Sequence, residues 1–389
     1  MDDRNHVGYG AIPPLKPTCC TKGVGGCTFF DTPIDLCESY MLPWLARRYA
    51  AAVEVPSPTS KGEGVEFSQS DRATLVELIR NKPMARFSSH LLYDNKGSDL
   101  YEKITSTPEY YIARAEHEII DQHLQNFADF SPKERHVLIE LGSGVGEKTH
   151  EMLPVLKKAS PKGFLYAPLD FDQWALDQNR ERLAKLHPDI ECQTVRGLFE
   201  EALPTAMQLT GRKTILFQGS TFGNFKSNAE ATAFLKMVGD LMSPGDRFVI
   251  GVDTAPIPGK KSADFVHDGY RKNTNGWRDE FMLNALDHGN RRCGLDFDRS
   301  QWKRLTEWDN EELCVFHYYE ATAECEVHTV PEGQLVRSFK QGERILVQTH
   351  YKFTPAGLTE MGGRAGVDLS RVYMSASEHF MWAEFTVSV

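Results

Sequence analysis

The stretch from His136 to His150 limits what this chain can fold into more than any other. It reads His136-Val137-Leu138-Ile139-Glu140-Leu141, then Gly142-Ser143-Gly144-Val145-Gly146, then Glu147-Lys148-Thr149-His150. An apolar run with β-branched residues that ends on a carboxylate and passes through three glycines into a helix-like segment predicts a strand, a tight turn and a helix N-terminus. Glycines let the backbone approach a ligand closely, and free N–H groups at a helix start suit a polar or anionic group, so the unit reads as a nucleotide-cofactor cradle. The dinucleotide fingerprint G-x-G-x-x-G fails because the third glycine comes one residue early. The phosphate loop fails because no Gly-Lys-Ser/Thr follows. Three readings stay open on this stretch alone: a cradle for S-adenosylmethionine (SAM), a cradle for another nucleotide, or a structural glycine turn.

The chain downstream repeats the same alternation. A helix is expected through 152–158, a second strand over 164–169 ending in Asp170-Phe171-Asp172, a helix over 173–186 and a third strand over 190–194 followed by a loop at 197–199. A fourth strand over 214–217 leads into Gly219-Ser220-Thr221-Phe222-Gly223-Asn224. Ser227 and Glu230 then form a capping box for a helix, and a fifth strand covers 248–252. This alternation means a parallel sheet with helices on both faces, and ligands of such sheets bind at the carboxyl ends of the strands. Loops at 142, 170, 198 and 219 share that edge. Asp170 is placed to accept ribose hydroxyls, whereas Asp172 better fits a helix N-cap.

Past Asp253 the rhythm changes. Residues 261–288 read as helical, and 313–319 and 344–353 alternate like strands, with Leu313, Val315, His317 and Tyr319 on one face and Leu346, Gln348, His350 and Lys352 on another. Two final strands are expected over 371–376 and 381–389. At the other end, residues 1–75 contain many Pro, Gly, Ser and Thr, with a short helix over 40–53 and a linker over 56–64. Helices are expected over 73–81 and from about 113, where Ile120, Leu124 and Phe127 share a face. Tyr110 and Tyr111 read either as amphipathic core aromatics or as the lining of a pocket for a cationic group.

Composition narrows the function classes. With 389 residues, 41% hydrophobic and 25% charged, the chain can bury a full core in one large or two medium domains. A formal net charge of −10 argues against a nucleic-acid backbone and favours a small-molecule substrate. No apolar run approaches the ~18 residues of a membrane span, and Met1-Asp2-Asp3-Arg4 is not the start of a signal peptide, so a cytoplasmic protein is expected. Eight cysteines, four of them at 19, 20, 27 and 37, lack paired CxxC spacing, so neither disulfides nor a metal site is expected. A monomer satisfies everything in this reading.

Several stretches together resemble one family, the SAM-dependent histidine Nα-methyltransferases of ergothioneine biosynthesis with their fungal relatives that methylate tryptophan derivatives. They are Tyr93-Asp94-Asn95-Lys96-Gly97-Ser98, Pro108-Glu109-Tyr110-Tyr111, Glu140-Leu141-Gly142-Ser143-Gly144 with Glu147-Lys148-Thr149, Gly219 to Asn224, and Gly342-Glu343-Arg344 with Lys352-Phe353. The resemblance implies a class I SAM-methyltransferase fold, α/β and Rossmann-like, with a second α+β substrate lobe. The SAM domain would span 115–260 plus 354–389 and the substrate lobe 76–114 plus 261–353, after an extension over 1–75. Carried over by position, Tyr93, Gly142, Ser143, Gly144, Lys148, Asp170 and Phe199 would contact SAM. Tyr110, Gly219, Asn224 and Tyr270 would hold the α-amino and α-carboxylate groups of an amino acid.

The departures bear on the substrate. Where the family has an acidic residue and a serine touching the imidazole, this chain has Gln348 and His350, and a nearby methionine position is His317. Such a pocket suits an acidic or strongly hydrogen-bonding side chain better than a histidine. Leu198 stands where the family tends to have an aspartate near the adenine. The expected activity is N-methylation of the α-amino group of a small amino acid. The alternatives are methylation of another small amine and a noncatalytic SAM-binding protein.

Overall fold

A computed structural model of the chain describes residues 69–388. The helix expected over 40–53, the linker over 56–64 and the cysteines at 19, 20, 27 and 37 lie outside them. The larger of its sheets has eight strands in the spatial order Asp368–Met374, Phe380–Thr386, Arg247–Asp253, Arg212–Phe217, His136–Leu141, Phe164–Asp170 and Glu191–Cys192, with Val195–Arg196 also pairing to Phe164–Asp170. Phe380–Thr386 runs antiparallel to both neighbours, and the strands from Arg247–Asp253 to Glu191–Cys192 are parallel. This is an open, mostly parallel, Rossmann-like α/β sheet, as expected.

The central strands are apolar along their whole length because both faces are covered. On His136–Leu141, Leu138 faces one core with Tyr166, Leu216, Val249 and Trp382. Val137 and Ile139 face the other with Leu165, Ile215, Phe248 and Phe385. The helices Glu147–Lys158, Gln173–Leu186 and Asn228–Leu241 provide crossovers. The strand order reverses between His136–Leu141 and Arg212–Phe217, and that switch point opens a crevice at the carboxyl edge.

A second sheet orders Ala85–Arg86, Arg344–Tyr351, Cys314–Ala321 and Trp302–Asp309, and a separate hairpin joins Cys325–His328 to Leu335–Phe339. Several elements differ from expectation. The region 261–288 is two helices, Ala263–Arg271 and Trp277–Cys293, interrupted before Gly276, whose φ of +72° starts the second. The third strand is two short pieces, and Phe199 opens the helix Phe199–Ala206 rather than lying in a loop. The helices Asn95–Thr105 and Pro355–Ala365 are additional to those expected, the first burying Gly97, Leu100 and Ile104 at helical spacing. The helices Gln69–Arg80 and Ile112–Phe127 run across the boundaries expected at 75 and 114.

The grouping of Leu346 with Gln348 and His350 is corrected by a β-bulge. Ile345 lies opposite Tyr319 and Gln348 opposite His317, so the register slips between Leu346 and Gln348. A one-residue slip exchanges the faces, which puts Leu346 on the far side while Gln348, His350 and Lys352 stay in phase. No helix among the described residues is long and apolar enough to cross a membrane.

Candidate active site

The cofactor edge is built mostly from backbone. Gly142 and Ser143 both donate their amides to Leu169 O, at 2.9 and 3.2 Å, which folds the turn back over the neighbouring strand. Gly144 has φ +51°, and a Cβ there would meet no protein atom within 4 Å, so this glycine faces open space. At Gly146 a Cβ would lie 2.6 Å from Asn179 Nδ2. Asn179 is the pin under the loop: it donates to Gly144 O and to the Tyr166 hydroxyl and meets His150 Nε2 at 2.9 Å. Glu140, at the strand end, accepts from Thr149 and Tyr166, and burial pushes its pKa up to about 7 against those hydrogen bonds.

Asp170 closes the same edge. Its two oxygens accept the Gly144 amide at 2.9 Å and the Asp172 amide at 3.0 Å, which fixes the carboxylate beside the glycine turn with lone pairs to spare. Burial raises its pKa, opposed by these amides. Asp172 caps the following helix through Trp174 N, as expected. Phe199 packs edge-on to Phe217 at 5.1 Å and forms the wall nearest Gly142. Leu198 is the N-cap of that helix and offers no side-chain bond to it. The Ser143 hydroxyl is buried with no hydrogen-bond partner among the described residues. A buried polar atom left this way loses about 1–3 kcal/mol unless a ligand satisfies it. Positive-φ glycines, a fixed carboxylate and this hydroxyl together fit SAM.

Tyr93, Tyr110, Gly219, Asn224, Tyr270, His317, Gln348 and His350 line one cavity. Three parts of the chain deliver them. The turn after Arg212–Phe217 puts Gly219 and Ser220 at φ +73° and +59°. A non-glycine residue held left-handed costs about 1–2 kcal/mol, and Ser220 is kept there because its hydroxyl accepts the Asp253 amide at 3.2 Å. The second sheet contributes His317, Gln348 and His350, tied to the turn by Thr349 Oγ1 donating to Phe225 O at 2.9 Å. The aromatic wall comes from 93–110: Tyr93 is edge-on to Tyr101 at 5.6 Å, and the Tyr101 and Tyr110 hydroxyls are 3.1 Å apart. Tyr93 is also edge-on to Phe281 at 5.5 Å, which sets it in this wall.

Behind the cavity lies a buried ionic network. Asp253 accepts Lys261 Nζ at 2.6 Å, the Tyr111 hydroxyl at 2.8 Å and the Tyr270 hydroxyl at 3.3 Å, with Lys352 Nζ 3.1 Å away. Lys352 also donates to the Tyr270 hydroxyl at 2.8 Å. Burial alone would raise the Asp253 pKa, but the two lysines outweigh it and hold the carboxyl low; burial pulls Lys261 down to about 8. Tyr110 is pushed up to about 12 by burial and stays protonated at neutral pH. His317 and His350 are held well below 6.5, first by burial, then by Arg304 for His317 and by His317 itself for His350, so both are neutral.

Sequence reading missed four residues here. Glu116 is wholly buried and links the two halves of the site: it pairs with Lys148 and accepts the Gly219 amide at 3.0 Å and Trp382 Nε1 at 3.3 Å. Lys148 is thereby committed to Glu116. The signal was available, because Glu116 extends the apolar face of Ile120, Leu124 and Phe127 by one turn, and a carboxylate on such a face needs a partner. Tyr101, Arg278 and Arg304 also line the cavity, and no local pattern marks them.

With the geometry in place, comparison with known proteins is direct. A family profile described as "Histidine-specific methyltransferase, SAM-dependent" matches residues 71–387. A histidine N-alpha-methyltransferase of Mycobacterium tuberculosis is 31% identical over 74% of this chain and 86% of its own length. An N-methyltransferase (fsqC) of Aspergillus fumigatus is 26% identical over 75% of this chain and 77% of its own. An L-tryptophan methyltransferase of Psilocybe serbica is 26% identical over 78% and 89%. The chain belongs to the histidine-specific, SAM-dependent methyltransferase family.

Proposed function

We propose that this protein transfers methyl groups from SAM to the α-amino group of a small amino acid. The observation that carries the reading is convergence: Tyr110, Asn224 and Tyr270, from three distant segments, line one cavity together with Gly219, and the Glu116 bridge joins that cavity to the helix after the glycine turn. Segments 76–114 and 261–353 act as the substrate lobe, and 115–260 with 354–389 as the SAM domain. Gly142, Ser143, Gly144, Asp170, Phe199 and Tyr93 hold SAM, with Lys148 set beside them by its pairing with Glu116; SAM supplies an electrophilic methyl on a sulfonium. The four described cysteines are free, in keeping with a cytoplasmic location.

Positioning does most of the work, because an in-line displacement needs only a neutral amine lone pair aimed at the methyl carbon. Asn224 Nδ2 and the Tyr270 hydroxyl, which turns from Asp253 while still accepting from Lys352, take the α-carboxylate; the buried Asn224 Oδ1, without a hydrogen-bond partner among the described residues, is left to accept an N–H of the ligand. Tyr110 orients the amine as a neutral phenol, and Tyr101 fixes its hydroxyl. His317, Gln348 and His350 face the side chain. No group in the cavity is a strong base at neutral pH, so the ammonium proton leaves to solvent and the rate rises with pH toward the ammonium's own pKa.

The test is a mass-spectrometric assay of the purified protein with SAM against the proteinogenic amino acids, their decarboxylated amines and their N-acetyl forms. Methyl gain on free amino acids alone is the expected result. Methylation of the decarboxylated amines at equal rate would remove the carboxylate role of Asn224 and Tyr270. SAM binding with no product of either kind would leave a binding protein.

A further inference from the structure

The charges around the cavity do not balance, and the imbalance identifies a substrate class. Among the described residues no Asp or Glu lines it, while Arg278 and Arg304 both do. Arg304 is neutralised by Asp279 at 2.7 Å and held by Thr306 Oγ1 at 2.6 Å. Behind Tyr270, Asp253 answers only one of Lys261 and Lys352, leaving one positive charge. Arg278 makes no ion pair among the described residues: its Nη2 donates to Gly269 O at 2.6 Å, its guanidinium lies 5.6 Å from the Tyr110 ring centre, and the partly exposed Glu109 acts on it only through space. Two cationic charges therefore remain, and SAM brings a sulfonium beside them. The α-carboxylate of an amino acid answers one, through Tyr270 and Lys352. The other, Arg278, is left facing a pocket whose field reaches both histidines.

The remaining polar groups agree in kind. Thr306 Oγ1 accepts from Arg304 and lies 3.1 Å from His317 Nδ1, so its own proton is free to turn to that nitrogen and the ring presents Nε2–H to the cavity. The Gln348 amide adds N–H groups. A guanidinium with imidazole and amide donors suits an oxyanion, and Arg can meet a carboxylate or a sulfur oxyacid with two parallel bonds. An imidazole substrate would find neither a carboxylate to pair with nor an acceptor as strong.

We propose that the preferred substrate is an α-amino acid whose side chain ends in an oxyanion, a carboxylate or a sulfur oxyacid, and that Arg278 is the residue that reads it. The inference rests on the α-amino-acid reading above. It is tested on the full chain at saturating SAM, comparing kcat/KM for aspartate, glutamate, cysteine sulfinate and cysteate with asparagine, glutamine and histidine. At least one acidic amino acid should exceed its amide by more than about tenfold, the worth of one charge-assisted hydrogen bond. Arg278→Gln should collapse that ratio while SAM affinity by calorimetry stays unchanged, and Arg278→Lys, which keeps the charge but not the two parallel bonds, should retain only part of it.

A preference for histidine, or amides that equal their acids, overturns the proposal. A loss in Arg278→Gln that is uniform across all amino acids also overturns it, by assigning Arg278 to the α-carboxylate. No methylation of any α-amino acid, with SAM bound, removes the parent reading and this one with it; methylation of neutral amino acids alone removes only this one.

Discussion

The two halves of the site are made of different material. The cofactor edge is backbone and short-range: three glycines within five residues, amides returned to Leu169 O, and a carboxylate pinned by two amides. Its buried acid Glu140 is satisfied within that edge, by Thr149 and Tyr166. The substrate cavity is side chain and long-range, drawing on residues from Tyr93 to His350 and leaving cationic charge unanswered. A cradle for an invariant cofactor can be fixed in backbone, whereas a pocket that must tell one amino acid from another has to be written in side chains. The two halves should therefore fail differently when mutated.

The largest effect is expected on the substrate side. Asn224→Ala removes the amide from a cavity where misplacing the nucleophile costs on the order of 10²-fold in rate. Methyl transfer should fall by at least that factor, while SAM affinity measured by calorimetry stays within about twofold, because no hydrogen bond connects Asn224 to the glycine turn. Tyr110→Phe should behave the same way more mildly. Normal turnover in either variant breaks the assignment. On the cofactor side, Asp170→Asn loses charge-assisted hydrogen bonds worth about 1.5–3 kcal/mol. SAM should bind roughly ten- to a hundredfold more weakly, and the rank order of amino-acid substrates should not change. A changed rank order would mean that the halves are not separable.

Glu116 tests the seam. Glu116→Gln keeps an acceptor for the Gly219 amide and Trp382 but loses the charge facing Lys148. Breaking a buried hydrogen-bonded charge costs about 1–3 kcal/mol, with solvent near the partly exposed Lys148 setting the lower end. The melting temperature should drop, and both SAM affinity and amino-acid KM should worsen together. In a double-mutant cycle with Lys148→Met, a coupling energy near zero would show that the pair does not hold the halves in register.

The same contrast explains what could be read from sequence. Gly142 to Gly146, Asp170 and the Gly219 turn were legible because each is a local pattern placed by strand ends. Tyr110, Asn224 and Tyr270 came from resemblance rather than from any periodicity. Arg278 was invisible: it follows a helix start that the break at 272–276 creates, and nothing within one turn of it announces a cavity. The face of Leu346 was misread because a bulge has no sequence signature here, and one extra residue inverts a period of two. Trp302–Asp309 and the Cys325–His328 hairpin were missed where alternation is blurred by charged and half-buried residues.

The smallest effect is one of pH, and it separates the halves through stability rather than rate. His317 and His350 are neutral in the folded cavity, held well below 6.5 by burial and by the surrounding cations. In the unfolded chain both regain an ordinary pKa near 6.5, so below that pH the unfolded state binds protons that the native state refuses. Stability then rises with pH up to about 6.5 and is lost as pH falls below it, at most about 1.4 kcal/mol per pH unit for each histidine. Urea unfolding at pH 7.5 and 5.5 measures the slope. His317→Gln and His350→Gln should each flatten it, and an oxyanion-bearing amino acid should steady the wild-type protein more at pH 5.5 than at 7.5, since it favours the charged rings. The cofactor half carries Glu140, whose raised pKa near 7 acts in the opposite sense: the unfolded carboxyl ionises near 4.5 while the buried one still holds its proton, so that group takes stability away as pH climbs from about 4.5 to 7. Glu140→Gln should therefore steepen the acid-side gain where the histidine variants flatten it, and slopes that move in the same direction in all three variants would erase the distinction between the two regions.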